Sequence, residues 1–275
     1  GDFYGMGHNE SLIAKALKGK KREQAFISVN FGAQRSPSGA FVGIDTRPSS
    51  VKNYAAYSLQ RLGVEAIDLY QPARVDPAVP YEDTIGAVAD LIKEGKVRYL
   101  GISEANADQI RKAHSVHPVT ALQIEYSLAT RMIEPKILPL ARELGIGIVA
   151  YGVMSRGLLT ADVTVKYGPE DFRAYLPRFQ GDNFAKNMEK VNLLQKMASE
   201  KGCTAAQLSI AWALSKGQDI VPLIGTSNRT RLSQNLKALE IALSADEISK
   251  LDRAFTDGTI AGDRYPTQQM GIVAK

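Results

Sequence analysis

The sequence predicts an α/β fold, and three features carry that expectation. Short apolar runs rich in β-branched residues recur along the chain. Helical patterns fill the intervals, and the helix starts carry capping residues or acids. Continuous apolar runs of this kind suit strands buried on both faces of a parallel sheet, joined by right-handed βαβ crossovers.

In chain order, Gly5-Met-Gly7-His-Asn-Glu10 reads as a turn into a helix at about Glu10–Leu17. It lacks the third glycine and the full preceding strand that a Gly-x-Gly-x-x-Gly dinucleotide turn requires. Lys18, Lys20, Lys21 and Arg22 follow. Cations there complement a helix C-terminus, so the cluster reads as a solvated helix end rather than a nucleic-acid patch. Strands are predicted at Phe26–Val29, Ile67–Tyr70, Tyr99–Ile102, Ala121–Ile124, Gly147–Ala150 and Ile220–Ile224. Helical spacing links Ile85, Val88 and Ile92, then Ile133, Ile137, Ala141 and Leu144, then Val191, Leu194 and Ala198. Pro80 followed by Glu82 and Asp83 makes a good first turn. Thr204-x-x-Gln207 and Ser244-x-x-Glu247 have the form of capping boxes.

Six strands are visible in the sequence, where a (β/α)8 barrel has eight. The expectation is that the first strand and helix, and most of the second strand, lie upstream of Gly1. Residues 1–275 are then a single barrel domain, N-terminally incomplete. Hydrophobic content of 44% and charged content of 23% are those of a soluble globular chain. No apolar run approaches the roughly 18–20 residues that a membrane span needs. The opening Gly1-Asp2-Phe3-Tyr4 does not read as a secretory leader. The single cysteine, Cys203, excludes an intrachain disulfide and suits a reducing cytosol. The net charge of +5 is dispersed among many acids, which argues for no nucleic-acid partner.

Five segments carry a family likeness: Asp2-Phe-Tyr-Gly5, Gly101-Ile-Ser-Glu104, Ala121-Leu-Gln-Ile-Glu-Tyr126, Val149-Ala-Tyr-Gly152, and Ile224-Gly-Thr226 with Arg231 and Asn235. In order and spacing they resemble the aldo-keto reductases over essentially the whole chain. Within that family they are most similar to the branch of the perakine-type reductases and the potassium-channel β subunits. The resemblance implies a (β/α)8 barrel with NADP(H) extended across its C-terminal mouth and a small aldehyde or ketone as substrate.

Ser103, Gln123 and Tyr151 fall at or just past the ends of apolar strands, where barrel side chains face the mouth. The resemblance gives Ser103 and Gln123 the nicotinamide carboxamide and gives Tyr151 a place stacked on the ring. Filling a barrel layer is the alternative for Gln123 and Tyr151. The run Gly152, Val153, Met154, Ser155, Arg156, Gly157 and Leu158 is implied to meet the pyrophosphate. A long polar loop follows to about Asn183, as a mobile cover or a plain surface loop. Gly225, Thr226 and Ser227 feed a helix bearing Arg231, Gln234 and Asn235. A glycine turn entering a helix N-terminus is a ready anion site. Arg231 with the two hydroxyls is implied to hold the ribose 2′-phosphate, and Gln234 and Asn235 to face the adenine.

The family's catalytic set is an Asp, a Tyr, a Lys and usually a His. Tyr4 matches the Tyr, which gives its proton to the carbonyl oxygen. A free phenol has a pKa of about 10 and is a poor acid near neutrality. A nearby lysine helps, since close opposite charges are commonly worth about 1–3 pKa units. Here Asn30 stands at the lysine position and Ala73, after Pro72, at the histidine position. The Asp position falls upstream of Gly1, and Asp2 is not at its spacing. Asn30 cannot supply charge; at best it donates a neutral hydrogen bond to Tyr4.

Three explanations stay open: a lysine replaced deliberately, a natural weakened reductase, or a protein that binds NADP(H) without turnover, as a regulator. Schiff-base or metal chemistry finds no lysine at the strand ends and no metal-ligand cluster. His8, His114 and His117 read as helix-end or surface residues. Substrate selectivity is expected from residues 31–41, the Pro72-Ala73 region and residues 167–180, with Phe41, Tyr175 and Phe179 as pocket walls or as packing under their own loops. With Ala73 in place of histidine, bulky apolar carbonyls are expected to be tolerated. Oligomeric state is not legible.

Overall fold

The computed structural model describes residues 1–160, 163 and 167–274. They form two compact units. The first contains residues 1–123, 143–146 and 272–274; the second contains the described residues of 124–142 and 147–271.

The strands are β1 Ser28–Phe31, β2 Ala33–Arg35, β3 Phe41–Ile44, β4 Ile67–Pro72, β5 Val97–Ser103, β6 Val119–Glu125, β7 Gly147–Tyr151 and β8 Ile220–Pro222. The helices are α1 His8–Ala16, α2 Pro48–Leu62, α3 Tyr81–Lys93, α4 Ala107–Val116, α5 Ile137–Glu143, α6 Gly181–Lys201, α7 Ala205–Ser215, α8 Arg229–Leu236 and α9 Ala245–Ala254.

In the first unit β1, β4, β5 and β6 are parallel neighbours in that order. Every residue of β4 is buried, as expected for a strand covered on both faces. Phe31 and Tyr70 stack at 4.3 Å, and the Tyr70 hydroxyl donates to the Val51 carbonyl on α2 at 3.0 Å. A hairpin and a helix here were not expected. Residues 31–41, read as a loop, hold strand β2 and a turn that leads into β3, its antiparallel partner. Gly39, at φ 84°, makes that turn, with its N–H on the Ser36 carbonyl. Helix α2 starts on Pro48 and stops on left-handed Gly63. Arg22, read as part of a solvated helix end, instead bonds buried Asp68 at 2.8 Å.

In the second unit the last residues of β6, then β7 and β8, lie side by side. Trp212 is fully buried on α7, 5.2 Å from the Tyr126 ring, and its indole N–H donates to Asp252 at 2.9 Å. Both expected capping boxes are formed. In the one at α9, Lys201 sits 2.8 Å from Glu247, and the Ser244 N–H donates to Glu247 at 2.7 Å. The lysine bond first, then that amide, hold the carboxyl at about 2, against an ordinary 4.5. A depressed carboxyl pKa stabilises the fold above the unfolded value, and that gain is lost as pH falls from about 4.5 to about 2. Thermal melts should therefore separate the native chain from Glu247→Gln at pH 6 and bring them together at pH 2. Equal separation at both pH values would contradict this.

Candidate active site

At the C-terminal ends of the first unit's strands, register sets the neighbours. Asn30 pairs with Gln71 across β1 and β4, and Ser103 with Gln123 across β5 and β6. Gln71 is fully buried, whereas Asn30 and Gln123 are half-buried. The Gln71 Nε2 donates to Asn30 Oδ1 at 2.5 Å and to Gln123 Oε1 at 2.5 Å, with Ser28 Oγ at 3.3 Å. This close approach needs Gly101, where an added Cβ would lie 2.7 Å from Gln71 Oε1. Ser103 is buried, and the next residue, Glu104, has φ 50°. A left-handed non-glycine residue costs about 1–3 kcal/mol and clusters at functional sites. Here the turn lets the Glu104 N–H donate to the Gln123 carbonyl at 3.0 Å.

Tyr4 is 54% exposed, in a turn where Gly5 and Met6 have φ 61° and 52°. Its ring meets Phe3 edge to face at 5.7 Å. The expected hydrogen bond from Asn30 to Tyr4 is not made among the described residues. Register places Gln71 beside Asn30, whose Oδ1 accepts from the Gln71 amide. Ala73 donates its N–H to the Phe31 carbonyl at 2.8 Å and presents only a methyl group. Phe41 is exposed, and its ring lies 6.2 Å from Phe3.

In the second unit Tyr151 closes β7, its hydroxyl 3.1 Å from that of Tyr265. The run after it is tightly turned, with positive φ at Gly152, Ser155, Arg156 and Gly157. The N–H groups of Ser155 and Gly157 are satisfied inside the loop, on Gly152 and Met154. Val153 and Leu158 are buried and anchor it.

Arg156 does not point into open solvent. Its guanidinium lies 3.4 Å from Glu125 Oε2 and 4.5 Å from the centre of the Tyr265 ring. Glu125 is fully buried; Arg178 approaches it at 3.3 Å, Arg264 at 3.6 Å and the Thr130 hydroxyl at 2.8 Å. Three guanidiniums thus surround one carboxylate. Burial pulls the Arg178 pKa below its ordinary value, against the attraction of Glu125. Removing one partner of a buried ion pair costs about 3–5 kcal/mol, because the other charge is left uncompensated. Glu125→Gln should lower the unfolding free energy by about that amount in denaturant titration; a loss below about 1 kcal/mol would mean the cluster is solvated.

Gly225, Thr226, Ser227 and Arg231 are all exposed at the start of α8. Asn228 caps the helix, accepting from the Arg231 N–H at 3.0 Å, and Thr226 Oγ1 accepts from the Asn228 N–H at 3.1 Å. Gln234 is exposed and accepts at its carbonyl from Gln207 at 2.7 Å. Asn235 Nδ2 lies 4.0 Å from Met154 Sδ, which brings α8 beside the loop after β7. Exposed hydroxyls and a guanidinium at a capped helix start suit an anionic, phosphate-bearing ligand.

Of the proposed pocket walls in the second unit, Phe179 is buried against Tyr167, and the Tyr175 hydroxyl folds back onto the Pro169 carbonyl. The expected cover to Asn183 includes residues 161, 162 and 164–166, outside the described residues. Among the described residues no His, Cys, Asp and Glu cluster could hold a metal ion. Gln71, Glu125 and Tyr265 were not singled out from sequence. Gln71 follows Tyr70 in a predicted strand, so its place at the strand end was the available signal. Tyr265 has no local signal, being brought in from far along the chain.

A profile described as the aldo/keto reductase family matches residues 1–255. A protein named "Probable aldo-keto reductase 1", from Glycine max, is 43% identical over 266 residues, 96% of this chain and 76% of that protein. Among solved structures, the glycerol dehydrogenase AKR11B4 from Gluconobacter oxydans is similar with a TM-score of 0.84 at 28% identity, over 91% of this chain and 78% of that one. A thermostable aldo-keto reductase, Tm1743, solved with the inhibitor epalrestat, gives a TM-score of 0.72 at 27% identity, over 92% and 80% of the two chains. With its parallel strands and intervening helices in the α/β class of those structures, the chain belongs to the aldo/keto reductase family of oxidoreductases.

Proposed function

We propose that the chain is an NADP(H)-dependent carbonyl reductase of aldehydes or ketones, weakened by Asn30 at the lysine position and Ala73 at the histidine position. The observation that carries the cofactor half is the exposed group of Thr226, Ser227 and Arg231 at the capped start of α8. It would hold the ribose 2′-phosphate, with Gly225, Gln234 and Asn235 around it. The run from Gly152 to Leu158 would follow the pyrophosphate, Ser103 and Gln123 would bind the carboxamide, and Tyr151 would lie against the nicotinamide. When bound, the cofactor supplies a hydride for the carbonyl carbon. The chain's own part is to orient the carbonyl and to bring the Tyr4 hydroxyl to its oxygen.

Asn30 offers that hydroxyl no charge, and its Oδ1 is committed to Gln71. The same observation favours a second reading, an NADP(H)-binding regulator with little turnover. Ala73 leaves room for bulky, apolar carbonyls. No helix among the described residues is long and apolar enough to cross a membrane, and a cytoplasmic site of action is proposed. The test is NADPH oxidation against a panel of aldehydes and ketones, with NADPH affinity measured by its fluorescence. Oxidation, best with bulky apolar carbonyls, supports the reductase. Tight binding with no oxidation supports the regulator, and no binding overturns both.

A further inference from the structure

The buried amide of Gln71 has one orientation that satisfies it. Its Nε2 carries two hydrogens and faces acceptors on Asn30 and Gln123, while its Oε1 is buried without a partner. Exchanging the two ends would bury both N–H groups where nothing accepts from them. Orphaned buried donors are rarer than under-satisfied carbonyls, and each unmet group carries its full desolvation penalty. The donor orientation toward Asn30 and Gln123 is therefore fixed.

That orientation propagates outward. Both Asn30 and Gln123 turn their side-chain oxygens inward to Gln71. Their NH2 groups are left with no acceptor among the described residues, on side chains that are half-buried rather than buried. An amide can present either polarity, so without Gln71 each would be ambivalent.

We propose that Gln71 is a positioning residue: it fixes Asn30 and Gln123 so that both present N–H donors, making this end of the site select for ligand oxygen atoms. The inference rests on the cofactor reading above. In that reading the oxygen at Gln123 belongs to a nicotinamide carboxamide, and the oxygen at Asn30 belongs to the substrate carbonyl. It also gives Asn30 a role of its own, as a neutral donor in place of a cation.

The test replaces the donor by an acceptor of the same shape. In Gln71→Glu the ionised carboxylate accepts from both amides, so Asn30 and Gln123 turn their oxygens outward. NADP+ affinity, measured by calorimetry on the full chain, should fall about 10-fold relative to the native chain at pH 8. The ratio should shrink as the pH is lowered, because the introduced carboxyl regains a donor once it is protonated. A merely structural role would give a loss that does not depend on pH. If Gln71→Glu does not fold, as judged by circular dichroism, Gln123→Glu is measured instead. Its carboxylate stays pinned by Gln71, presents an oxygen outward, and should weaken NADP+ about 10-fold. Native-like affinity in the folded variant, or a pH-independent loss in Gln71→Glu, overturns the inference. Absence of NADP+ binding by the native chain overturns the cofactor reading instead, which makes the two failures distinguishable.

Discussion

Arg231→Ala should weaken NADPH binding by about 10–100-fold, the loss expected when a charge-assisted bond worth about 1.5–3 kcal/mol is removed. NADH lacks the 2′-phosphate, so its affinity should change by less than about 3-fold in the same variant. The difference between the two nucleotides isolates the phosphate from the remainder of the cofactor. The structure sets the conditions under which the effect is largest. Arg231 is exposed on the first turn of α8, with its own backbone N–H spent on the Asn228 cap. An exposed charge is screened by salt, so the preference for NADPH should narrow as ionic strength rises. Arg231→Lys should fall between the native chain and Arg231→Ala, because an ammonium keeps the charge and loses the planar fork. Fluorescence titration of the two nucleotides reads all of this. Equal losses for NADPH and NADH in Arg231→Ala would remove the 2′-phosphate from the account.

Asn30→Lys has the second large expected effect, on turnover rather than affinity. General-acid assistance is worth roughly 10²–10⁴-fold, and a lysine at position 30 should restore a substantial part of it. The ammonium cannot accept a hydrogen bond, so it releases the Gln71 amide that now holds Asn30. Turnover should therefore rise at neutral pH while NADPH affinity changes little. Adding Tyr4→Phe to Asn30→Lys should return the rate to its starting level, because the lysine acts only through the phenol. Steady-state rates of NADPH oxidation with one aldehyde and one ketone check both variants. If lysine restores nothing, Asn30 does not occupy the crippled position assigned to it.

Much of the fold was legible because buried parallel strands declare themselves as β-branched runs. The β4, β5, β6 and β7 strands lie where Ile67, Tyr99, Ala121 and Gly147 begin apolar stretches. The first strand was displaced. Phe26 lies outside it, exposed and stacked on Tyr99 at 6.1 Å, so Asn30 falls inside β1 rather than beyond its end. Apolarity alone could not tell a residue that pairs in the sheet from one that packs at its rim. The hairpin of β2 and β3 was missed because it is short and three of its four β3 residues are apolar without strict alternation. Helix α2 was missed because its polar residues, from Ser49 to Gln60, dilute the helical repeat.

In the candidate site, the placement of Ser103, Gln123 and Tyr151 toward the ends of their strands was readable. Their partners were not. Gln71 reaches Asn30 and Gln123 through lateral register, which a single strand's sequence does not encode. Glu125 gathers Arg156, Arg178 and Arg264 from segments up to 139 residues away along the chain. The family resemblance implies a pyrophosphate contact for Arg156, a cation just after a strand end. The fold shows that a buried carboxylate already stands against it.

The proposed function has two halves, NADP(H) binding and proton transfer without a lysine. Mixing the native chain with NADPH and a bulky ketone in a rapid-mixing fluorimeter tests both halves in one trace. NADPH fluorescence should change fast on binding, and oxidation should then be slower by about 100-fold or more than in Asn30→Lys. A trace with no binding phase, or oxidation as fast in the native chain as in Asn30→Lys, would contradict the proposed function.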